Sequence, residues 1–185
     1  MRSILPVQFA LLLSARAGDA SIHGILGPQS GSVWKIDQKE DSITGLPTAT
    51  AWIRTLNSTS SGSWDSRPVV LQLMCFKGSP IVRLHFQHRV GANRSATVAY
   101  RFDQKTGRDV SATFLPDFKT IIVEEKSEVE QFLSELTSSS RLLVRITSLY
   151  AGRTTAEFAL TGAPDAIAAA YAPCPLKPET AGKRA

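Results

Sequence analysis

The sequence predicts an α+β domain that is mostly β: an antiparallel, β-sandwich-like arrangement of strands with two packing helices. Short apolar or alternating segments separated by turn residues predict the strands, and two segments with helical spacing predict the helices. The 185-residue chain is 43% hydrophobic and 20% charged, as is typical of a globular protein with a full core. We therefore expect a single β-rich domain at 18–174.

The clearest β signal lies in the middle of the chain. Residues 69–76 form an apolar run, and residues 81–88 alternate with period two. Short links join them to the strands that follow, so we expect an antiparallel meander here, whereas the last two strands should pair about the turn at Ala151–Arg153. The predicted strands are 33–37, 48–56, 69–76, 81–88, 97–102, 110–114, 141–147 and 154–160, and 57–68 is predicted to be a loop.

Two segments have the pattern of helices. Ser127 is a good N-cap, Glu128 falls in the first turn, and the segment as far as about Ser138 presents one apolar face to a sheet. A second, alanine-rich helix is predicted from Pro164 to Ala172, because proline is favoured near the first helical position. The apolar face of the first helix comprises Val129, Phe132, Leu133 and Leu136.

The two ends of the chain fall outside the predicted domain. A mostly apolar stretch of ten residues, Ile4–Leu13, follows the lone Arg2, and Ala15–Ala17 supplies small residues at both positions that a signal peptidase reads. The stretch is too short to span a bilayer as a helix, so we expect residues 1–17 to be a removed signal peptide. An ordinary N-terminal strand or a disordered leader is the alternative. The tail 175–185, rich in proline and cations, is predicted to be disordered.

The chain has two cysteines, Cys75 and Cys174. Two are too few for a structural zinc site, and we expect no metal and no cofactor. In an oxidising compartment the two cysteines would pair, which would tie a central strand to the C-terminal segment. In a cytosolic protein Cys75, between Met74 and Phe76, would instead be a buried apolar residue.

The charge of the chain argues against a nucleic-acid partner. Loss of Arg2 and Arg16 with a signal peptide would leave 19 of the 21 basic residues against 16 acidic ones, so the formal charge would fall from +5 to +3. The basic residues are scattered, and no basic helix or stripe is present in the sequence. No later segment is long and apolar enough to cross a membrane.

Two histidines, His85 and His88, suggest an enzymatic alternative. Residues three apart on a strand point to opposite faces, so these imidazoles should not chelate a metal together. Either could act with nearby carboxylates in a small periplasmic hydrolase, although no hydrolase motif is present and we expect no catalytic residue.

A cationic sheet surface is the stronger candidate for a binding site. Arg101 alternates outward from Tyr100 and Phe102, and neighbouring strands carry Arg83 and Arg145. An arginine-lined face suits a carboxylate-bearing or protein partner. We therefore assign partner binding to Arg83, Tyr100, Arg101 and Arg145. The alternative is a solvated face whose arginines pair with Asp and Glu on adjacent strands.

An ordered set of short motifs spans nearly the whole predicted mature chain. The motifs are the turn Asp41–Gly45 entering a strand to Ala51, the strand 70–75 ending in Cys75, the YRFD strand 98–103, the helix motif 131–133, the strand motif 142–145, the EFALTG segment 157–162, and a short helix before Cys174. Over residues 33–174 this set resembles the small exported accessory proteins of type VI secretion clusters, the VasI/TagO-type group. The resemblance implies a periplasmic domain and transfers no catalytic residue.

We therefore expect an exported, non-enzymatic accessory or binding protein that acts in the periplasm or is secreted. Its partner would be a protein or another envelope component, with a type VI secretion apparatus as one candidate. The hydrolase is the alternative, and a surface protein of phage or host origin that is not exported is a third possibility. A pocket that gathers histidine and carboxylates would indicate the enzyme, whereas a flat or grooved arginine face would indicate the binding protein.

Overall fold

The computed structural model describes residues 33–62 and 67–176. The predicted signal peptide at 1–17 and residues 177–185 of the predicted tail lie outside the described residues. In chain order the described elements are β1 (Lys35–Glu40), β2 (Pro47–Arg54), β3 (Asn57–Ser60), β4 (Val70–Phe76), β5 (Ser79–His85), β6 (Ser95–Phe102), β7 (Arg108–Phe114), β8 (Thr120–Val123), α1 (Lys126–Thr137), β9 (Arg141–Ser148), β10 (Gly152–Ala159) and α2 (Ala163–Ala170).

The described strands belong to one ten-stranded sheet in the order β1-β2-β4-β5-β8-β7-β6-β9-β10-β3. Neighbouring strands pair antiparallel throughout. The mostly β, α+β class with two helices is thus confirmed. A sandwich of two separate sheets is not confirmed, because the hydrogen-bonded order runs through all ten strands.

The sheet is strongly curved, since its two ends meet at one corner. Only Thr55 and Leu56 separate β2, which is next to one edge, from β3, which forms the opposite edge. Three Cα–Cα steps cover at most about 11 Å, so the chain passes directly between the two ends. The Thr55 N–H donates to Val69 O at 2.9 Å, and the Leu56 N–H donates to Glu157 O at 2.8 Å.

Alternation along the strands separates an inner apolar face from an outer polar face. The inner face forms one hydrophobic cluster with the buried sides of both helices. α2 lies close to β2 and β4 because its buried residues are small. The Tyr171 hydroxyl just beyond α2 donates to Ile81 O at 2.8 Å. Residues of the inner face include Ile53, Leu71, Leu73, Leu84, Ile121, Phe102, Leu142 and Val144.

The predicted apolar face of α1 is confirmed, but its predicted N-cap is wrong. The buried residues of α1 are Val129, Phe132, Leu133 and Leu136. The N-cap is Glu125 instead of Ser127: the Glu125 carboxylate accepts hydrogen bonds from the Ser127 hydroxyl at 2.8 Å and the Ser127 N–H at 3.2 Å. These bonds lower the pKa of Glu125, because they stabilise its ionised form.

Two strands were not predicted, and one of them changes the topology. β3 lies in the predicted loop 57–68, and β8 inserts between β5 and β7. The predicted meander is therefore wrong at one step, because β5 pairs with β8 and not with β6, whereas β4 pairs with β5 and β6 pairs with β7 as predicted. The reversal before β8 is built on Asp117, whose carboxylate accepts from the N–H groups of Lys119 and Thr120, both at 2.9 Å.

The two cysteines form a disulfide that closes the domain. Cys75 lies near the end of β4 and Cys174 follows α2, with their Cα atoms 6.0 Å apart. The expected pairing is confirmed, and the bond ties the segment after the C-terminal helix to β4, the third strand from one edge of the sheet. Neither of the described helices is long and apolar enough to cross a membrane.

Candidate functional site

The structure brings together two of the four residues assigned to partner binding. Arg101 on β6 and Arg145 on β9 are exposed on the outer face of adjacent strands. Arg83 lies on the same face but on β5, with β8 and β7 between it and β6. The Tyr100 ring points the other way: it is 4% exposed and packs edge-on against Phe132 in the core. Tyr100 therefore does not share the surface of Arg101.

A shallow groove of about 540 Å³ crosses the outer face at this point. We call it the arginine groove and define it by the guanidinium groups of Arg101, Arg145 and Arg153. Its lining also contains Ala99, Gly107, Leu143 and Thr155, together with Tyr100, Arg108 and Asp109. Ala99 has a short side chain, Gly107 has none and Thr155 is of modest size, and together they leave the space that the long arginines surround.

The three arginines form a straight diagonal across β6, β9 and β10. Arg101 is level with Leu143, the residue two before Arg145 on β9. Arg153 is level with Thr147, the residue two after Arg145. Diagonal neighbours of this kind are about 7–8 Å apart, so the side chains stand in an evenly spaced row.

None of these three guanidinium groups is neutralised by a carboxylate among the described residues. The ion pairs found there join Arg108 to Glu128 at 3.8 Å, Lys126 to Glu130 at 3.7 Å, and Arg141 to Glu157 at 3.0 Å. Arg108 therefore directs its charge toward α1, although it contributes to the groove lining. Asp109 is the one acidic residue in that lining. Three cations face one anion, so the groove attracts a negatively charged ligand.

Sequence reasoning missed Arg153. The alternation of β10 places Arg153, Thr155 and Glu157 on one face and buries Thr154, Ala156 and Phe158 on the other. That alternation was readable from the sequence, and the predicted strand at 154–160 began one residue too late to include Arg153. Its position beside Arg145, however, depends on the β9–β10 register, which periodicity does not reveal.

Asp103 fixes the loop at one end of the groove. Its carboxylate accepts hydrogen bonds from the Ser140 hydroxyl at 2.8 Å, the Arg141 N–H at 2.9 Å and the Ser140 N–H at 3.1 Å. The hydroxyl bond is the largest cause of a lowered pKa for Asp103, and the backbone bonds add to it. Asp103 thus joins the end of β6 to the start of β9, the two strands that carry Arg101 and Arg145.

We expect Asp103→Asn to make folding stability less sensitive to acid. A carboxyl whose pKa is lowered by folding stabilises the protein above its unfolded pKa of about 4, and this contribution is lost as the pH falls through the folded value. Asparagine tolerates the left-handed backbone at this position, where φ is 46°. Urea unfolding at pH 7 should therefore give wild type a higher free energy of unfolding than the variant. This difference should shrink below about pH 4. A difference independent of pH would contradict this role.

The histidines of the enzymatic alternative lie apart from the arginine groove. The Thr120 hydroxyl donates to the Asp117 carboxylate at 2.7 Å, so it accepts from His85 Nδ1 at 3.0 Å. His88 does not share a strand with His85, because β5 ends at His85 and His88 lies in the bend that follows. The argument from strand alternation therefore does not apply to His88. In the described parts of the chain, no group of three or more His, Cys, Asp or Glu residues could hold a metal ion.

Comparison with known proteins returns no match: no family model, curated protein or solved structure is significantly similar to the chain. The resemblance to the VasI/TagO-type group, carried by the ordered motifs, stays a prediction. The hydrolase alternative also stays a prediction. The geometry and charge of the arginine groove are therefore the features that bear on function.

Proposed function

We propose that the protein is a non-enzymatic binding protein that holds an anionic partner in the arginine groove. The observation that carries this proposal is the diagonal row of Arg101, Arg145 and Arg153, which have no ion-pair partner within the described residues. Guanidinium groups bind carboxylates and phosphates through two parallel hydrogen bonds, and they are less strongly hydrated than ammonium groups. Such a row should bind most tightly an anion that carries several charges and lies along the row.

The chemistry of the groove supports binding over catalysis. Arginine stays protonated at all physiological pH values, so Arg101, Arg145 and Arg153 cannot exchange protons with a substrate. Asp109 is exposed, and it is the lining's only carboxylate. A general acid and a general base with separated pKa values are the usual requirement for hydrolysis, and the groove offers one carboxylate.

The disulfide supports a location outside the cytoplasm. Disulfides persist in oxidising compartments, and Cys75–Cys174 ties together segments far apart in the sequence. We propose the periplasm or the secreted fraction as the location. The partner would be an envelope component, with a type VI secretion apparatus as the candidate that the motif resemblance suggests.

Retention on immobilised poly-L-glutamate tests the binding proposal. Wild type should be retained at low salt and elute on addition of NaCl, because screening weakens contacts between exposed charges. Arg145→Glu should elute much earlier. Lys39→Glu on β1 is the matched control, since it makes the same charge change at an exposed strand residue that does not line the groove. Equal shifts for the two variants would mean that net charge and not the groove causes retention.

Intact-mass measurement without reductant tests the proposed location. Protein recovered from a native-like host should begin near Gly18 and weigh two hydrogens less than the reduced chain. A full-length chain with two free thiols would contradict export.

A further inference from the structure

We infer that the arginine groove binds an extended protein segment in which acidic residues alternate with uncharged ones. This inference rests on the proposed function and specifies its partner. The carboxylates would come from Asp or Glu at positions i, i+2 and i+4 of the bound segment, one for each of Arg101, Arg145 and Arg153.

The spacing of the arginines carries the inference. Each step of the diagonal, from Arg101 to Arg145 and from Arg145 to Arg153, crosses one strand and advances two residues. That step measures about 7–8 Å. In an extended peptide, side chains two residues apart lie on the same face and are about 6.7 Å apart. Three alternating acidic side chains therefore match the row closely enough for flexible arginines to meet each of them.

The floor of the groove suits the uncharged residues of such a segment. Ala99 and Leu143 are half-buried and apolar, and Thr155 offers a hydroxyl. The Asp109 carboxylate lies at one side of the groove, where it can accept a hydrogen bond from a peptide N–H. Asp109 would offset part of the attraction that the three arginines exert on a polymer with a negative charge on every unit, so such a polymer still binds but a segment with interrupted charge is favoured.

The same lining disfavours single-stranded nucleic acid. Proteins that bind single strands without sequence preference stack the bases on exposed aromatic rings. The aromatic residue in this lining is Tyr100, and its ring is buried on the opposite face of the sheet. The groove thus offers positive charge for the phosphates of a nucleic acid, but its lining has no exposed aromatic ring on which the bases could stack.

Two isomeric heptapeptides test the inference. The first is acetyl-Thr-Glu-Thr-Glu-Thr-Glu-Thr-amide, and the second is acetyl-Glu-Thr-Thr-Glu-Thr-Thr-Glu-amide, which has the same composition and charge but places its acids three apart. We expect the first to bind wild type about fivefold more tightly, because only it aligns three carboxylates on one face. Fluorescence anisotropy with labelled peptides and a labelled thymidine heptanucleotide measures the three affinities.

Variants assign the binding to the groove. Arg145→Gln should abolish the preference for the first peptide while leaving the urea midpoint unchanged, because the side chain is exposed. Lys39→Gln should retain the preference. Equal affinity for the two peptides, or tighter binding of the oligonucleotide, would overturn the inference. If poly-L-glutamate retention remains sensitive to Arg145→Glu in that case, the proposed anion-binding function stands and only the alternating partner is excluded.

Discussion

Replacing both cysteines, Cys75→Ala with Cys174→Ala, should lower the free energy of unfolding by about 2–5 kcal/mol. The disulfide closes a loop with a sequence separation of 99 residues. In the chain-entropy description a loop of about 100 residues contributes about 4.7 kcal/mol, because the cross-link restricts the unfolded chain. The bond also tethers α2, whose eight residues make it too short to be stable alone.

Urea unfolding of the double variant beside wild type, with and without reductant, measures this effect. Reductant should bring wild type to the stability of the variant and should leave the variant unchanged. Equal midpoints for oxidised wild type and the variant would contradict a stabilising role for the disulfide.

Truncation of Phe132 should have a comparable effect, about 3–5 kcal/mol. Its ring is 6% exposed and meets the rings of Tyr100 and Phe102, each at a centroid distance of 5.2 Å. These edge-to-face contacts join α1 to β6, so Phe132→Ala would lose apolar burial and leave a cavity between helix and sheet.

Ser134→Ala is the matched control for that variant, because Ser134 lies on the exposed side of the same helix. It should change the urea midpoint little, whereas Phe132→Ala should lower it strongly. Similar midpoints for the two variants would mean that the packing of α1 contributes little to the fold.

Local sequence patterns were sufficient for most elements of this fold. Period-two alternation located β5, and the spacing of Val129, Phe132, Leu133 and Leu136 identified the buried face of α1. These features depend on contacts between near neighbours in the chain. The pairing of Cys75 with Cys174 followed from their number and the expected oxidising compartment, and the structure contains it.

Features that depend on distant pairing were not predictable in the same way. β3 has the polar sequence Asn57–Ser60, and it forms a strand because it pairs with β10 and because the Ser58 hydroxyl donates to Arg67 O at 2.5 Å. β8 is only four residues long and takes its place between β5 and β7 through long-range pairing.

The candidate site also combines features that local sequence patterns predict with features that depend on long-range strand pairing. The alternation of the strands predicted that Arg83, Arg101 and Arg145 lie on one face of the sheet. It could not show that two strands, β8 and β7, separate the strand of Arg83 from that of Arg101. The contribution of Arg153 depends on the β9–β10 register. The sequence thus indicated a cationic face, and the register made it a diagonal row.

An NMR titration with hexaglutamate would test the central claim most directly. We predict that backbone amide shifts will concentrate on the three strands that carry Arg101, Arg145 and Arg153, namely β6, β9 and β10. Shifts spread evenly over the exposed lysines and arginines of the molecule, or shifts centred on β1 and β2, would contradict the assignment of anion binding to the arginine groove.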